Sequence, residues 1–442
     1  MIACRADRRN MKSYHEPARE IPVTAETDVL VVGGGPAGFC AALSAAREGT
    51  KTMLVEQAGD LGGVSTTGLM SHWTGMTKGG MFQEIIDQTT VAYTPVDHPY
   101  YPLINHEYLK TWMLETLLNA GVRLRLYTHA VDVVMDGTRI RGIVTESKDG
   151  RQAIFSKLVM DCSGDGDIAA RAGAEYVLGR ETDGMMQPMT LMLQLGGVDR
   201  SRITYVTEFE KDWLLPQGSL QALAREHLSA PMGHVLIYPT VYPGCVILNM
   251  TNCTLVDGTK AEDLTKAQAL CRRQIKQIVG FLKDYVPGFE NAYPIKTASS
   301  IGVRETRHFI GEKIITEQDI AQARVFDDWA VANLHFNFDV HGLTGAGMDA
   351  TGQQDAFDQK KGYTIPYGCF VPKKIDGMLI AGRNISGTHL AHSNYRAMPI
   401  CANMGQAAGV AAAICIRQAI SPRNLDVRLL QKRMRELGVS PD

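Results

Sequence analysis

Residues 28–56 read DVLVVGGGPAGFCAALSAAREGTKTMLVE, and this stretch decides the fold. Asp28–Val32 is a short apolar run rich in β-branched residues, the pattern of a buried parallel strand. Gly33, Gly35 and Gly38 follow as G-x-G-x-x-G. From Pro36 an Ala-rich helical segment runs to Gly49, which ends it. A second apolar strand, Lys51–Val55, closes on Glu56. Each part has a physical task. Gly33 permits a tight turn, Gly35 lets the backbone approach a pyrophosphate, and Gly38 lets helix and strand pack closely. The helix N-terminus offers unpaired N–H groups to phosphate oxygens. Glu56, roughly 20 residues on, is placed to accept hydrogen bonds from ribose hydroxyls and to repel a 2′-phosphate. A lone glycine triplet is weak evidence. Strand, glycines, helix, strand and acid in one unit are strong evidence for nucleotide binding.

Outward from this unit, 442 residues are enough for two domains or one large discontinuous one. A net charge of −2 lacks the basic excess that suggests nucleic acid. No apolar run reads as long enough to span a bilayer. The first 20 residues are polar and basic, and Arg8-Arg9 is followed by no apolar export segment before Ile21, so a cytoplasmic protein is expected. The nine cysteines are scattered and never spaced C-x-x-C. That argues against a disulfide framework, an iron–sulfur cluster, structural zinc or a redox dithiol, and no metal is expected.

After Glu56 comes QAGDLGGVSTTG, whose Gly62-Gly63 pair and small hydroxyl residues mark backbone approaching something bulky. A nicotinamide dehydrogenase has no need of such a loop, whereas FAD extends past the end of this second strand. Gly79–Val91 and His106–Ala120 read as helices, joined by a Pro- and Tyr-rich connection. Val122–Met135, Arg139–Ser147 and Gln152–Val159 alternate like strands, separated by Asp136-Gly137 and Asp149-Gly150, so a β-meander is expected. It leads to Asp161-Cys162-Ser163-Gly164-Asp165-Gly166 and a helical segment around Asp167–Ala172. Between Met185 and Lys313 strand-like runs (Met189–Leu195, His234–Tyr242, Cys245–Thr251) alternate with one long helix over Ala261–Tyr285. Residues 314–365 read as loop bordering a site. Gly377–Ala381 is again a buried strand, and Met404–Ala419 a helix whose small residues at its start would let its N-terminus face a ligand.

The fold class expected is α/β: a Rossmann-like parallel sheet with a β-meander, plus an α+β substrate domain with a largely antiparallel sheet. The divisions are a tail (1–20), the nucleotide-binding domain (21–184), the substrate domain (185–313), the loop-rich segment (314–365), the return to the first domain (366–420) and a C-terminal tail (421–442).

In this order the pieces resemble the two-domain FAD-dependent oxidoreductases of the glutathione-reductase-like and p-hydroxybenzoate-hydroxylase-like superfamily. They resemble more closely a large, functionally poorly defined FAD-dependent oxidoreductase family. The shared features are Ile21-Pro22-Val23 before DVLVVGGGPAG, LGG at 61–63, DCSGDGD at 161–167, PGFEN at 287–291 and IGVRETRHFIGE at 301–312. IPYGCFVP at 365–372 and AGRNISGTHLAHSNYRAMPICANMGQAAG at 381–409 complete them. The resemblance implies FAD held by Gly33, Gly35, Pro36, Ala37, Gly38, Glu56 and Gln57, with Gly62 and Gly63 passing the pyrophosphate and ribityl chain. It implies Val131 against adenine through its backbone, and Ser163, Gly164 and Asp165 as a second nucleotide-side loop. Gly382 and Arg383, with Gly405, Gln406 and Ala407, would flank the rest of the flavin. Without C-x-x-C, hydride must pass between substrate and flavin directly.

For substrate chemistry the candidates are Arg304, Arg307, His341 and His389, with His392, Tyr395 and Arg396 beside them. A near-neutral imidazole can take a hydroxyl proton as hydride leaves, and a guanidinium can hold a carboxylate. Arg304 and Arg307 are equally placed to pair with Glu305, Glu312 or the Asp-rich loop, and any one histidine can be structural. The expected activity is hydride transfer between FAD and a small, polar substrate, anionic or highly hydroxylated. A flavin monooxygenase using NAD(P)H and oxygen is the rival enzyme, and a non-catalytic flavin-binding redox sensor the rival from another class. A homo-oligomer stays open.

Overall fold

The structure, a computed structural model, describes residues 12–70, 72–93, 102–209, 212–352 and 362–441. Val23–Val32 lies at the centre of a seven-stranded sheet. Thr52–Val55 and then Arg123–Arg125 pair in parallel on one side of it. Gly150–Asp161 pairs in parallel on the other side. That long strand then serves two partners along its outer edge. Its first half takes Arg139–Ser147 and, beyond it, His129–Asp136, both antiparallel. Its last residues, Val159–Asp161, take Met378–Ile380 in parallel, so the end of the chain returns to the sheet where the nucleotide-binding loops emerge. Val29, Leu30 and Val31 are fully buried, as the unbroken apolar run requires.

The helix Pro36–Arg47 packs along its length on the helix Met398–Gln418. Their backbones are close because of two glycines. A Cβ on Gly405 would lie 2.0 Å from the Ala37 carbonyl oxygen, and one on Gly409 2.4 Å from that of Ala41. Met398–Gln418 is long and apolar enough to cross a membrane, which the sequence reading overlooked, yet 94% of its most apolar window is buried inside the chain. It is the core helix of the fold.

A second layer holds a four-stranded antiparallel sheet, in order Ile237–Pro239, Val246–Leu248, Leu193–Gly196 and Tyr293–Thr297. The helix Ala261–Tyr285 lays Ile278, Phe281 and Leu282 into the same apolar cluster as Leu193, Val246 and Leu248.

Four sequence readings need correction. Val122–Met135 is two strands at opposite edges of the sheet, because Tyr127 takes a left-handed turn (φ 52°) between them. The N–H groups of Tyr127 and Thr128 bond to the carbonyls of Ala58 and Glu56, pinning that break beside the first loop. The segment read as loop contains the strand Trp329–Leu334, paired with Tyr363–Pro366, and the short helix Glu317–Ala321. The last core helix begins at Met398, six residues before the expected start, with Pro399 in its first turn where proline is pre-organised for a helix. The strand expected over Met189–Leu195 begins only at Leu193. Most of the Pro- and Tyr-rich connection (94–101), part of the loop-rich segment (353–361) and the first 11 residues lie outside the described residues.

Gly405→Leu should therefore lower stability by at least ~3 kcal/mol or prevent folding, since backbone is what the side chain meets. Gly280→Ala, where nothing lies within 4 Å, should instead raise stability by ~0.5–1 kcal/mol through helix propensity. Urea midpoints of the two variants test this, and a wild-type midpoint for Gly405→Leu would contradict it.

Candidate active site

A cavity of about 490 Å³ runs from the first glycine loop to residues flanking the four-stranded sheet, within the range of small-molecule and cofactor sites. At the loop end the three glycines divide their work. A Cβ on Gly33 (φ 96°) would meet the Cys162 carbonyl oxygen at 2.5 Å, and one on Gly38 would lie 1.8 Å from the Gly33 carbonyl oxygen. Both are packing glycines. Gly35 lines the cavity and has nothing within 4 Å of where its Cβ would be. As the N-cap of Pro36–Arg47 it has no side chain to occupy the first-turn N–H groups, so these stay available beside Ala37, which also lines the cavity.

Glu56 lines the same end, one carboxylate oxygen accepting from Gly34 N–H (2.6 Å) and the other from Ala58 N–H (2.8 Å). These bonds fix the carboxylate at the strand end and leave further lone pairs for ribose hydroxyls. Gln57 and Gly63 line the cavity too. Gly62 is set back, its N–H donating to the Gly34 carbonyl (2.7 Å) and so tying the second loop to the first. Ser163, Gly164 and Asp165 form the facing loop, held by a residue that motif reading had not singled out. Buried Asp161 accepts from the Ser163 N–H and hydroxyl and from the N–H groups of Ile168 and Ala169. Burial pushes its pKa up against those hydrogen bonds.

Gly382 and Arg383 also line the cavity. Arg383 Nη2 donates to Asp165 Oδ1 (2.8 Å), and its buried Nη1 has no hydrogen-bond partner among the described residues. Open space at Gly35, free helix N–H groups and an unsatisfied guanidinium nitrogen together fit a dinucleotide pyrophosphate.

Two sets of residues expected at the cofactor fall outside the cavity lining. Gly405, Gln406 and Ala407 lie in the third turn of their helix, outside the cavity lining: Gly405 packs on Ala37, and Gln406 Oε1 accepts from Met81 N–H. The residues of that helix end which do line the cavity are Ala397, Met398 and Cys401. Val131 is also outside the lining, and its carbonyl is taken by Arg171 Nε (2.9 Å).

The far end gathers Arg304, Asp339, His341 and Arg396 around the cavity, with Thr190, Tyr238 and Asn249. Arg304 Nη1 donates to the Pro188 carbonyl and to Thr190 Oγ1, both at 2.7 Å, and Nη2 to Asn249 Oδ1 (3.2 Å). Burial, then Arg396, push its pKa down to about 10. Arg396 Nη2 donates to the Asp339 carbonyl and to its Oδ2, both at 2.8 Å. Burial raises Asp339, but His341, Arg396 and Arg304 outweigh it and hold the carboxyl well below its usual range. His341 Nε2 lies 3.6 Å from Asp339 Oδ1, and its buried Nδ1 makes no hydrogen bond with the described residues. Burial and Arg304 bring His341 down to about 4 despite Asp339, so the imidazole is neutral at pH 7. Gln187, in a Met-rich run read as wall, receives the His341 N–H on its Oε1.

Arg307 and His389 are not at this end. Arg307 Nη1 donates to the Asp165 carbonyl (2.8 Å) and Asp167 Oδ1 (2.9 Å), bracing the second loop from outside the cavity. His389 Nδ1 lies 2.6 Å from Glu305 Oε1, which His308 Nε2 approaches at 2.8 Å, while Glu305 Oε2 accepts from Gln187 N–H. Against the expectation of no metal, Glu305, His308 and His392 bring one donor atom each within 4.8 Å of one another. Glu305 Oε1 in that group is already bridged by two imidazoles at hydrogen-bond distance, a network that supports the Gln187 backbone behind the cavity wall.

The architecture and cavity define a nucleotide-binding flavoenzyme, and comparison with known proteins gives the family. Residues 28–434 match the FAD dependent oxidoreductase family, and the chain belongs to it. FAD is its cofactor. It is 26% identical over 160 residues to digeranylgeranylglycerophospholipid reductase 2 of Methanopyrus kandleri, covering 34% of this chain and 39% of the relative. It is 32% identical over 132 residues to thiamine thiazole synthase of Aeropyrum pernix, covering 27% of this chain and 43% of the relative. The chain thus matches about two fifths of the length of these curated relatives. A geranylgeranyl bacteriochlorophyll reductase-like protein from Thermoplasma acidophilum shares the fold, with a TM-score of 0.50 at 13% identity, over 93% of this chain and 83% of that one.

Gly35→Ala should leave the thermal midpoint of the apoprotein unchanged yet weaken FAD binding at least tenfold, because its methyl enters cofactor space. Gly38→Ala should instead lose the fold, since its methyl meets backbone. Calorimetry of both apoproteins with FAD titration of Gly35→Ala separates the roles; unaltered FAD affinity in Gly35→Ala would contradict this reading.

Proposed function

We propose that the enzyme oxidises a small polar substrate by hydride transfer from a substrate carbon to the flavin. The observation that carries this is one continuous cavity, cofactor-shaped at one end and lined by Arg304, Asp339, His341 and Arg396 at the other. Bound FAD supplies a two-electron hydride acceptor. Among the described residues all eight cysteines are buried and free, which favours a direct path over a dithiol relay.

For an alcohol, the C–H bond breaks with its electron pair leaving as hydride, and the O–H proton must be taken up. His341 is the one imidazole lining the cavity among the described residues. It is neutral at pH 7 and so can accept at Nδ1, the nitrogen without a partner among those residues. Asp339 Oδ1, 3.6 Å from Nε2, then stabilises the cation. Arg396 holds Asp339 in place, and the apolar residues Met192, Leu236 and Phe336 exclude water.

Anaerobic mixing with a panel of hydroxy acids, sugar acids and alcohols should bleach the flavin with at least one compound. His341→Gln should keep its FAD and reduce ~10²–10⁴-fold more slowly. Because His341 is held at about 4, the wild-type reduction rate should stay level from pH 8 to pH 5.5 and fall only as the pH approaches ~4, where the base becomes protonated. An inflection near 6.5 that persists in His341→Gln would show that the base is a group other than this imidazole. NAD(P)H-dependent oxygen uptake without anaerobic bleaching would move the enzyme to the monooxygenases.

A further inference from the structure

We infer that Arg304 is the anchor for a carboxylate, and that the substrate is an organic acid whose body rests on the apolar wall beside it. The inference rests on the reading of this end of the cavity as the substrate site.

The argument begins with the partners of Arg304. A guanidinium withdrawn from water ordinarily finds a carboxylate, since an unpaired buried charge is costly. Arg396, its neighbour, has one in Asp339. The hydrogen bonds of Arg304 go instead to a carbonyl, a hydroxyl and an amide oxygen, all neutral. They occupy both Nη1 protons and one on Nη2. Among the described residues, none accepts from Nε–H or from the second Nη2–H. These two nitrogens share one edge of the guanidinium, the edge that meets a carboxylate with two parallel bonds. Arg304 is only partly buried, and it lines the cavity.

The surroundings select among anions. Asp339 and Glu208 also line this end. Arg304 and Arg396 face Asp339 and Glu208 at this end, so a carboxylate adds one negative charge to a balanced set, whereas a phosphate dianion adds two beside two carboxylates. Phe209, Met192, Leu236, Leu264 and Ile301 line the same chamber and offer a surface for an aliphatic or aromatic body. Of the other guanidiniums with an unclaimed nitrogen, Arg139 and Arg307 lie outside the cavity lining, Arg396 is paired to Asp339, and Arg383 is paired to Asp165 beside the nucleotide loops. Anchored at Arg304, an acid shares its chamber with His341, the group that takes the proton.

The experiment is a titration of the FAD-loaded wild-type enzyme with benzoate, hexanoate, benzamide and inorganic phosphate, read as the change in the flavin absorption spectrum. None of these compounds can be oxidised here, so binding is measured apart from turnover. Benzoate and hexanoate should give saturable shifts, with benzamide and phosphate at least tenfold weaker. Arg304→Lys keeps the charge and loses the fork; with FAD content and thermal midpoint as wild type, it should bind benzoate at least tenfold less tightly and benzamide unchanged. Benzamide or phosphate binding as tightly as benzoate, no response to either acid, or full benzoate affinity in Arg304→Lys would each overturn the assignment. If Arg304→Lys does not fold, the wild-type series alone decides between acid and amide. If no compound ever bleaches the flavin but benzoate binds as described, the hydride-transfer reading falls and the carboxylate site stands.

Discussion

The rest of the structure depends on backbone lying directly against backbone around the helix Pro36–Arg47. Its start is pressed on the Gly33 carbonyl at Gly38, on the final core helix at Gly405 and, one turn further, at Gly409. No side chain larger than hydrogen fits at any of the three. The contact fixes where the helix N-terminus points, and that N-terminus forms the phosphate end of the cavity. It also explains why the last part of the chain must return: without Met378–Ile380 beside Val159–Asp161 and Met398–Gln418 against the first helix, the apolar faces of both would be open to water.

Two buried carboxylates then set the cavity walls. Asp161 gathers four donors and so gives the Ser163–Gly166 loop its shape and the helix Asp167–Arg171 its N-terminal partner. Glu305 draws His308, His389 and the Gln187 backbone around one side chain, and hydrogen bonds from the two imidazoles hold it charged against the cost of burial. Gln187 in turn supports the His341 backbone. The residues that face the substrate chamber are thus ordered from behind by groups that never reach it.

How much of this was legible in the sequence follows from the range of the interactions involved. The first βαβ unit is local, and its glycines, strand ends and acid fall where spacing puts them. The helix Ala261–Tyr285 was legible because a polar start and a long amphipathic run lie within it and Pro287-Gly288 follows just after it. The start of the final helix was misplaced because its small residues resemble a ligand-facing N-terminus. Only the first helix, more than 300 residues away, shows that they are packing residues. Arg304 and Arg307 look alike at a spacing of three. The backbone there is not helical, so a spacing of three does not place the two on one face, and the strand begins only at Arg307. One arginine therefore enters the cavity and the other braces the loop behind it. Asp339 and His341, two apart, meet at the cavity, with His341 Nε2 3.6 Å from Asp339 Oδ1, a pairing the D-V-H-G motif contained.

The two ends of the cavity differ in how they manage positive charge, and this difference gives the site its direction. At the nucleotide end the helix dipole and Arg383 attract phosphate, while Glu56 and Asp165 keep the binding to hydroxyls and a single pyrophosphate. At the far end Arg396 and Asp339 cancel each other, and His341 carries no charge at neutral pH. Arg304 is then the local charge that the chain itself meets only with neutral hydrogen-bond acceptors. A guanidinium that makes only neutral hydrogen bonds can orient an anionic group, because its edge has a fixed plane. A substrate held there by one end has only limited freedom to present a carbon to the flavin. On the proposed reading, orientation falls to this arginine and proton transfer to the histidine, two tasks carried by separate side chains on separate segments.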